Sequence, residues 1–228
     1  MKEHLDEENL PEGVVQQKDG KYAIMPRIPL GVMPADLLIT VTNIVQDYML
    51  PSIKLTAGQR LMITGVDFED IEDILERIGL AGYPTSQYVQ SCAGSTTCKH
   101  GLQDSLCTAA SVEMKLTDMG DTPAKIKIGI SGCPRCCSES KLRDIGLIGL
   151  KKGWDIHFGG NAGHNPRVGD LIAHNMDMFE AMTVINLLLD YYKDNAKPRE
   201  RTAKFVTRMG IDSIKEHIAQ HAGFELNM

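Results

Sequence analysis

The sequence predicts an α+β protein with two successive lobes, and three observations lead to this fold class. Residues 21–82 alternate β-like runs with segments of helical apolar spacing. Residues 125–158 hold short β-like runs separated by turns, whereas the chain beyond residue 177 has helical periodicity. We expect a polar arm over 1–20, a first lobe over 21–82, a second lobe over 83–200 and a helical tail over 201–228.

Length and charge narrow the class of protein. The 228 residues suffice for one large or two small domains with a real core. A net charge of −6 gives no overall basic surface for nucleic acid or membrane. No run reaches the roughly 18 apolar residues of a membrane span, and the acidic N-terminus lacks a signal-peptide core. We therefore expect a cytoplasmic protein with neither partner.

The elements follow from periodicity and breakers. In the first lobe they are a strand at Tyr22–Met25, a helix at Pro34–Met49 ended by Pro51, strands at Ile53–Thr56 and Arg60–Thr64, and a helix capped by Asp67. In the second they are a helix at His100–Met114, a strand at Lys125–Ile130, a helix starting at Pro134, strands at Ile145–Leu150 and Trp154–Phe158, and helices at Asp177–Asp194 and from Pro198. The stretch from Ile211 is predicted to be helical and peripheral.

Six cysteines lie between residues 92 and 137, namely Cys92, Cys98, Cys107, Cys133, Cys136 and Cys137. Clustering of this kind in a cytoplasmic chain indicates metal or redox chemistry rather than a disulfide scaffold. The motifs C-x5-C and G-C-x3-C supply the four thiolates of a 4Fe–4S cluster, with helix amides behind Cys133. The pair Cys133-x2-Cys136 alone also suits zinc, and inert buried thiols are a further alternative. Cys107 is predicted to be a buried apolar residue, while Cys136 is either a spare thiol or an alternative ligand.

At these motifs the chain resembles the sirohaem and 4Fe–4S sulfite and nitrite reductase family, most of all its small, assimilatory-type, low-molecular-weight sulfite reductases of anaerobes. The resemblance runs from about Arg27 to Met209. The segments that carry it are Cys92-x5-Cys98, Gly132–Cys137, Ile145–Gly149, His157–Asn161, Thr56–Gln59 and Met62–Gly65.

The resemblance implies a fold and a function. The first lobe is expected to be ferredoxin-like and the second a mixed α/β lobe that binds sirohaem and the cluster. The implied cluster ligands are Cys92, Cys98, Cys133 and Cys137, and the sulfur of Cys137 links the cluster to the sirohaem iron. The implied reaction is the six-electron reduction of sulfite to sulfide. Nitrite reduction to ammonia on the same centre and a non-catalytic iron–sulfur redox protein are the alternatives.

Cationic side chains are expected to bind the oxyanion. Lys125 and Lys127 stand two apart on a strand and share a face, which by itself describes a solvated edge. The resemblance implies that this pair lines the substrate pocket together with Arg27 and Arg60. The candidates for the sirohaem carboxylates are Thr56, Gln59, Arg60, Thr96, Thr97, Arg135, Gly159, Gly160, Asn161 and Arg167. The two glycines are expected to let the backbone approach a flat cofactor.

The chain departs from the family in two places. Gln87–Ser91 lacks the arginine that usually precedes the first cluster cysteine, and Gly58 stands where an arginine is usual, with Arg60 as its substitute. These changes bear on rate and oxyanion preference more than on the cofactors. Longer members contain two copies of this unit, so both a monomer and a homodimer with shared sites stay open. The chain carries no flavin motif or ferredoxin repeat, which predicts a separate electron-donor protein.

Overall fold

The computed structural model describes residues 9–82 and 87–227, and the chain divides into two compact units after residue 84. Each unit combines helices with one sheet, so the predicted α+β fold class is confirmed. Within the described ranges, no helix has both the length and the apolar character needed to cross a membrane.

The first unit is an antiparallel sheet covered by two helices, with the strand order β1-β2-β4-β3. Its elements are β1 (Val14–Gln16), β2 (Tyr22–Ile24), α1 (Ala35–Asp47), β3 (Ser52–Leu55), β4 (Leu61–Val66) and α2 (Ile71–Ile78). Its core includes the fully buried side chains of Ile24, Val41, Ile44, Ile63, Ile71 and Ile74. Burial of each such side chain stabilises the fold by about 1.5–3 kcal/mol, so the periodic apolar faces hold the helices on the sheet.

Two details of this unit differ from the sequence prediction. Strand β1 lies inside the predicted arm, where Val14 pairs with Ile24 across an antiparallel ladder. The predicted cap by Asp67 is wrong, because its side chain makes no cap hydrogen bond and instead accepts one from Lys21. A short 3-10 turn at Phe68–Asp70 leads into α2 in its place.

The second unit is a mixed sheet with the strand order β5-β6-β7-β8-β9. Its elements are β5 (Gln87–Ser91), α3 (Gly94–Thr97), α4 (Ser105–Met119), β6 (Ile126–Ser131), β7 (Ile145–Gly149), β8 (Trp154–Phe158), β9 (Asp170–Met176), α5 (Met178–Asn195), α6 (Thr202–Met209) and α7 (Ile211–His221). The first three strands are parallel, and the last three are antiparallel. The predicted hairpin between β7 and β8 is present. Leu150 N donates to the Gly153 carbonyl at 2.7 Å and closes its turn.

Strand β6 has two different faces because side chains alternate along it. Ile126, Ile128 and Ile130 are fully buried on one face, where α4 packs against the strand. Gly129 faces the other way, and a Cβ there would lie 2.8 Å from the Ser138 carbonyl oxygen. The chain that follows the second cysteine motif therefore folds back over this second face, the one that Lys127 also shares.

The C-terminal helices belong to the core of the second unit. Phe205 of α6 is fully buried, with its ring centroid 6.4 Å from that of Phe158 and 5.3 Å from that of Tyr192. Ile214 and Ile218 of α7 are also fully buried. The prediction of a peripheral tail is therefore wrong, since removing these side chains would open the core.

Candidate functional site

The two cysteine motifs meet at one edge of the second sheet. Strands β5 and β6 are parallel neighbours, and each is followed at once by a cysteine motif. Cys92 N donates to the Ile130 carbonyl at 3.1 Å, and Gly132 N donates to Cys92 Sγ at 3.1 Å. Because parallel strands end at the same edge, residues 40 apart in sequence become hydrogen-bonded neighbours.

Close backbone packing holds the cysteine-bearing turns together. A Cβ added at Gly132 would lie 2.7 Å from the Gln103 carbonyl oxygen, and one at Gly101 would lie 2.5 Å from the Gly94 carbonyl. Leu102 N and Gln103 N both donate to the Gly132 carbonyl, at 2.8 and 3.0 Å. The segment that carries Cys98 and the segment that precedes Cys133 therefore touch through their backbones, which only glycine permits.

The helix predicted to begin at Pro134 is wrong, because the second motif forms consecutive turns. Cys136 has φ +55°, a left-handed conformation that cannot continue a right-handed helix. Cys136 N donates to the Cys133 carbonyl at 3.1 Å, and Glu139 N donates to the Cys136 carbonyl at 2.9 Å. Turns, rather than a helix N-terminus, therefore place the backbone amides around these cysteines.

Serines fix the end of the second motif. Ser138 N donates to Ser131 Oγ at 3.1 Å, and Ser138 Oγ donates to the Ile130 carbonyl at 2.9 Å. Ser131 Oγ also lies 2.8 Å from Ser140 Oγ. All three serines are buried, so the backbone that carries Cys137 is tied to the end of β6.

The cysteines differ in their surroundings. Cys133 is buried, Cys92 and Cys98 are half-buried, and Cys137 is exposed. Cys107 is exposed on α4, where its amide donates to Asp104 Oδ1 at 3.0 Å in the helix cap. The prediction of a buried Cys107 is therefore wrong. The first turn of α4 contacts the first cysteine motif through Ser105, whose Oγ donates to the Cys92 carbonyl at 2.9 Å.

The donor set suits an iron–sulfur cluster. The thiols of Cys92, Cys98, Cys133 and Cys137 belong to turns that are locked to one another, and one ligand sulfur already accepts a backbone N–H. Across residues 9–82 and 87–227, no three Cys, His, Asp or Glu side chains are grouped closely enough for a single metal ion. Four thiolates on these turns match the ligand set of a 4Fe–4S cluster, in which each thiolate binds a different iron atom.

Of the predicted oxyanion residues in the second unit, Lys127 is half-buried within β6, while Lys125 precedes the strand and is exposed. Lys127 N donates to Asp144 Oδ2 at 2.8 Å. Lys127 lies four residues before Ser131, which is about 13 Å along the strand. The structure therefore places this lysine at the end of β6 away from the cysteine motif.

In the first unit, Thr56, Gln59 and Arg60 form the hairpin between β3 and β4. Thr56 N donates to the Arg60 carbonyl at 2.8 Å, and Arg60 N donates to Thr56 Oγ1 at 3.2 Å. A Cβ at Gly31, four residues after Arg27, would lie 3.1 Å from Gln59 Cβ. The structure thus brings the turn after Arg27 against this predicted sirohaem hairpin.

The glycine-rich loop is held by its own contacts. A Cβ at Gly159 would lie 2.7 Å from Val206 Cγ2, and one at Gly160 would lie 2.4 Å from the Arg143 carbonyl oxygen. The space that a side chain would fill is occupied by the chain itself, which gives these glycines a packing role. The side chains of Asn161 and Arg167 also bond within the loop region, to Gly163 N, Asn165 O, Gly159 O, Val168 O and Asp170.

The remaining sirohaem candidates lie near the cysteine turns. Thr96, Thr97 and Arg135 are all exposed, and Thr96 Oγ1 donates to the Ala93 carbonyl at 3.3 Å. Asn161 and Arg167 instead line a cavity of about 710 Å³ beside α6. The structure therefore divides the predicted cofactor residues of this unit between two places.

Four cationic side chains of the second unit were not identified from the sequence. Lys204 and Arg208 line the 710 Å³ cavity, and Arg143 and Arg201 line a smaller cavity of about 140 Å³ that also includes Lys127. For Lys204 and Arg208 the available signal was their spacing on α6, since residues four apart share a helix face. Arg208 bonds Glu200 and lowers the pKa of that carboxyl to about 2.

One buried histidine belongs to the same unit. His157 lies in β8, with Nδ1 3.2 Å from the Gly169 carbonyl oxygen. Burial lowers the pKa of this imidazole, and the hydrogen bond only partly opposes the effect. The ring is therefore favoured in its neutral form, in which Nδ1–H donates to that carbonyl.

Comparison with known proteins assigns the family. Residues 84–226 match the nitrite and sulphite reductase 4Fe-4S domain, and residues 15–81 match the nitrite/sulfite reductase ferredoxin-like half domain. The chain is 42% identical to an assimilatory-type sulfite reductase of Nitratidesulfovibrio vulgaris, with 91% of this chain and 97% of that protein covered. It is 34% identical to a nitrite reductase (NAD(P)H) of Bacillus subtilis, of which it spans only 25%.

Solved structures give the same fold. The Mycobacterium tuberculosis NirA protein superposes with a TM-score of 0.74 over 94% of this chain and 42% of its own, at 22% identity. Dissimilatory sulfite reductase I superposes with a TM-score of 0.73 over 87% of this chain and 69% of its own, at 13% identity. Identities this low establish only the architecture.

The chain belongs to the nitrite and sulfite reductase family. This membership confirms the predicted oxidoreductase class and the predicted pairing of a 4Fe–4S cluster with sirohaem. An oxyanion substrate and a source of electrons are implied by the same relatives.

Proposed function

We propose that this protein is a sirohaem-dependent sulfite reductase that reduces sulfite to sulfide with six electrons. The observation that carries the proposal is the Gly132 N–H donated to Cys92 Sγ, which joins the two cysteine motifs in the chain's 4Fe–4S domain. The similarity to the assimilatory-type sulfite reductase over nearly its whole length favours sulfite over nitrite. When bound, the cluster and sirohaem supply electron storage and an iron that ligates the oxyanion.

The chain's own residues have separate proposed roles. Cys92, Cys98, Cys133 and Cys137 would hold the cluster, and Cys137, which is exposed, is the thiolate proposed to link the cluster to sirohaem. Arg27, Arg60, Lys125 and Lys127 are proposed to bind the oxyanion, and the two lysines, unlike the permanently charged arginines, also donate protons to it. Each oxygen atom removed from the anion leaves as water. The side chains around the anion therefore have to neutralise its charge and supply the protons that the water molecules contain.

The sirohaem carboxylates are proposed to meet Thr56, Gln59, Arg60, Thr96, Thr97, Arg135, Gly159, Gly160, Asn161 and Arg167. The Thr56–Arg60 hairpin is the best supported of these, because Arg60 N and Thr56 Oγ1 fix its shape. We further propose that the protein works in the cytoplasm with a separate electron-donor protein. We propose a monomer with a compact pocket, with a homodimer that shares its sites as the alternative.

The test is an absorption spectrum of anaerobically purified protein, with iron, acid-labile sulfide and tetrapyrrole analysis. We expect tetrapyrrole bands, four cluster irons per chain and turnover of sulfite in preference to nitrite with an artificial reductant. Four irons without tetrapyrrole would indicate the non-catalytic redox protein. If nitrite is turned over faster than sulfite, nitrite would be the substrate instead.

Two substitutions examine the roles. Cys137→Ser should uncouple the cluster from sirohaem, which an altered spectrum of the reduced protein would report. An unchanged spectrum would move the bridging role to another thiol, Cys136 first. Lys127→Ala should keep both cofactors and lose sulfite turnover, whereas wild-type turnover would remove Lys127 from the oxyanion set.

A further inference from the structure

A small cationic cavity lies at the end of β6 away from the cysteine motifs. It has a volume of about 140 Å³ and is lined by Lys127, Arg143 and Arg201, with Leu142 and the loop at 161–163 completing its wall. These cations are separated by up to 74 positions in sequence, from 127 to 201, so the fold has brought them together. Three cations around so small a space form a site for an anion.

Arg201 is held in a fixed position by a buried carboxylate. The Asp144 side chain is 1% exposed and accepts from Arg201 Nε at 3.2 Å, from Arg201 Nη2 and from Thr202 Oγ1. It also accepts from Lys127 N at 2.8 Å, which ties the arginine to the strand that carries the lysine. Within residues 9–82 and 87–227, no hydrogen bond engages Arg201 Nη1, so this donor can serve another acceptor.

Arg143 is fixed independently. Its side chain is 11% exposed, and Nη2 donates to Gln90 Oε1 at 2.7 Å and to Glu139 Oε2 at 3.0 Å. Nε donates to the Ser138 carbonyl at 3.3 Å, and the guanidinium lies 6.0 Å from the centre of the Tyr88 ring. Nη1 again takes no part in these bonds. Two arginines with fixed side chains therefore line the cavity, and among the described residues neither Nη1 makes a hydrogen bond.

The charges leave one cation uncompensated. Asp144 balances Arg201, and Glu139, which is 60% exposed, pairs with Arg143. Within residues 9–82 and 87–227, no hydrogen bond or ion pair engages the Lys127 ammonium. A singly charged anion would balance the charge of Lys127. Because Glu139 is exposed, solvent screens its charge and weakens its repulsion of such an anion.

The size of the cavity restricts the ligand. A cavity of about 150 Å³ takes a benzene-sized molecule, so this space takes a group of roughly six heavy atoms and excludes a tetrapyrrole ring. A sulfite-sized oxyanion fits, and so does one carboxylate arm of a larger cofactor. Both present the same chemistry to the site, namely two or three anionic oxygens for fixed N–H donors.

We propose that Arg143 and Arg201, positioned by Gln90 and Asp144, act with Lys127 as a binding site for one small oxygen-bearing anion. The proposal deepens the proposed function, on which it rests for sulfite and a sirohaem carboxylate as the two sources of that anion. It adds two arginines that neither the sequence motifs nor the resemblance identified.

The test uses the purified holoprotein and sulfate, an oxyanion that serves as a probe of binding without turnover. Binding is measured by calorimetry in the wild type, Arg143→Gln, Arg201→Gln and Lys152→Gln. The last variant removes a cation from the exposed β7–β8 turn and is the matched control. Sirohaem per chain is measured in the same samples.

If a free oxyanion occupies the site, both arginine variants bind sulfate about 10- to 100-fold more weakly, as expected for one lost hydrogen bond to a charged group, and keep full sirohaem. If a cofactor carboxylate occupies it, both variants lose sirohaem at unchanged cluster iron. Wild-type sulfate binding and wild-type sirohaem content in both variants would overturn the proposal. Because Arg201→Gln leaves Asp144 without its partner, Arg143→Gln and the double variant Asp144→Asn/Arg201→Gln keep the test valid if that single variant does not fold.

These measurements are independent of the proposed reaction. If the wild type fails to turn over sulfite, the proposed function falls while sulfate binding still reports on the site. If it turns over sulfite but the arginine variants behave as the Lys152→Gln control does, only the cavity proposal falls.

Discussion

Replacement of Gly132 by alanine tests whether the contact between the two cysteine motifs shapes the cluster site. The added Cβ would lie 2.7 Å from the Gln103 carbonyl oxygen and 3.1 Å from Gly94 Cα. Both neighbours are backbone atoms that cannot rotate away, so Gly132→Ala has to displace one of the turns. The displacement stretches the bond from Gly132 N to Cys92 Sγ and the two bonds that the Gly132 carbonyl accepts.

The expected loss of stability follows from these contacts. Overpacking a rigid site costs about 1–3 kcal/mol, and each weakened amide hydrogen bond adds about 0.5–1.5 kcal/mol. With three such bonds, a total of about 2.5–7.5 kcal/mol should lower the Tm by roughly 5–30 °C for a protein of this size. The cluster should also become harder to reduce, because N–H donors to its sulfurs raise the reduction potential.

The assay compares Gly132→Ala with Gly153→Ala. At Gly153 an added Cβ would lie 2.2 Å from the Met176 carbonyl oxygen, a comparable backbone clash at the β7–β8 turn. Thermal unfolding followed by circular dichroism should show a loss in both variants, whereas a potentiometric titration should show a lower potential only in Gly132→Ala. Equal potentials in the two variants would refute the idea that this contact acts on the cluster, and a wild-type Tm for Gly132→Ala would refute the packing argument.

Three further predictions concern other parts of the second unit. Glu200→Gln should lower the Tm at neutral pH, because Arg208 depresses the Glu200 pKa from 4.5 to about 2. The stability that the native carboxylate contributes is fully present above pH 4.5 and should vanish as the pH falls through about 2. A series of Tm measurements at different pH values checks this. Cys107→Ser should leave iron per chain unchanged, because this residue lies on helix α4 outside both cysteine motifs; lost iron would make it a ligand. Tyr192→Phe should cost about 1 kcal/mol in urea unfolding, since its buried hydroxyl donates to the Glu200 carbonyl, and no change would mean that water replaces that bond.

The sequence predicted elements whose determinants are local. Helix α5 appears where apolar residues repeat at helical spacing, and Asp177 caps it by accepting from Glu180 N at 2.8 Å. The β7–β8 hairpin appears at its Lys151–Gly153 turn. In both cases the deciding residues lie within one or two turns of each other, so neighbours in sequence were enough.

Strands with weak local signals were missed for the opposite reason. β5 has the polar sequence Gln87–Ser91 and becomes a strand through its parallel ladder with β6. β1 and β9 likewise depend on pairing with strands elsewhere in the chain. Strand preference reflects cross-strand neighbours more than intrinsic backbone tendency, and those neighbours are set by the tertiary fold.

For the candidate site, the sequence by itself predicted metal or redox chemistry from the type and spacing of Cys92, Cys98, Cys133 and Cys137. Spacing alone left a cluster, zinc and inert thiols open, and the family resemblance selected the cluster. Only the tertiary structure decided the geometry. It replaced the expected helix by turns at left-handed Cys136 and placed Lys127 beside Arg143 and Arg201. The physical reason is the distance along the chain over which each property is decided. The chemistry of a ligand depends on the residue type alone. The convergence of distant side chains depends on parallel strands that end at the same edge and on buried Asp144, which bonds both Arg201 and the backbone of Lys127.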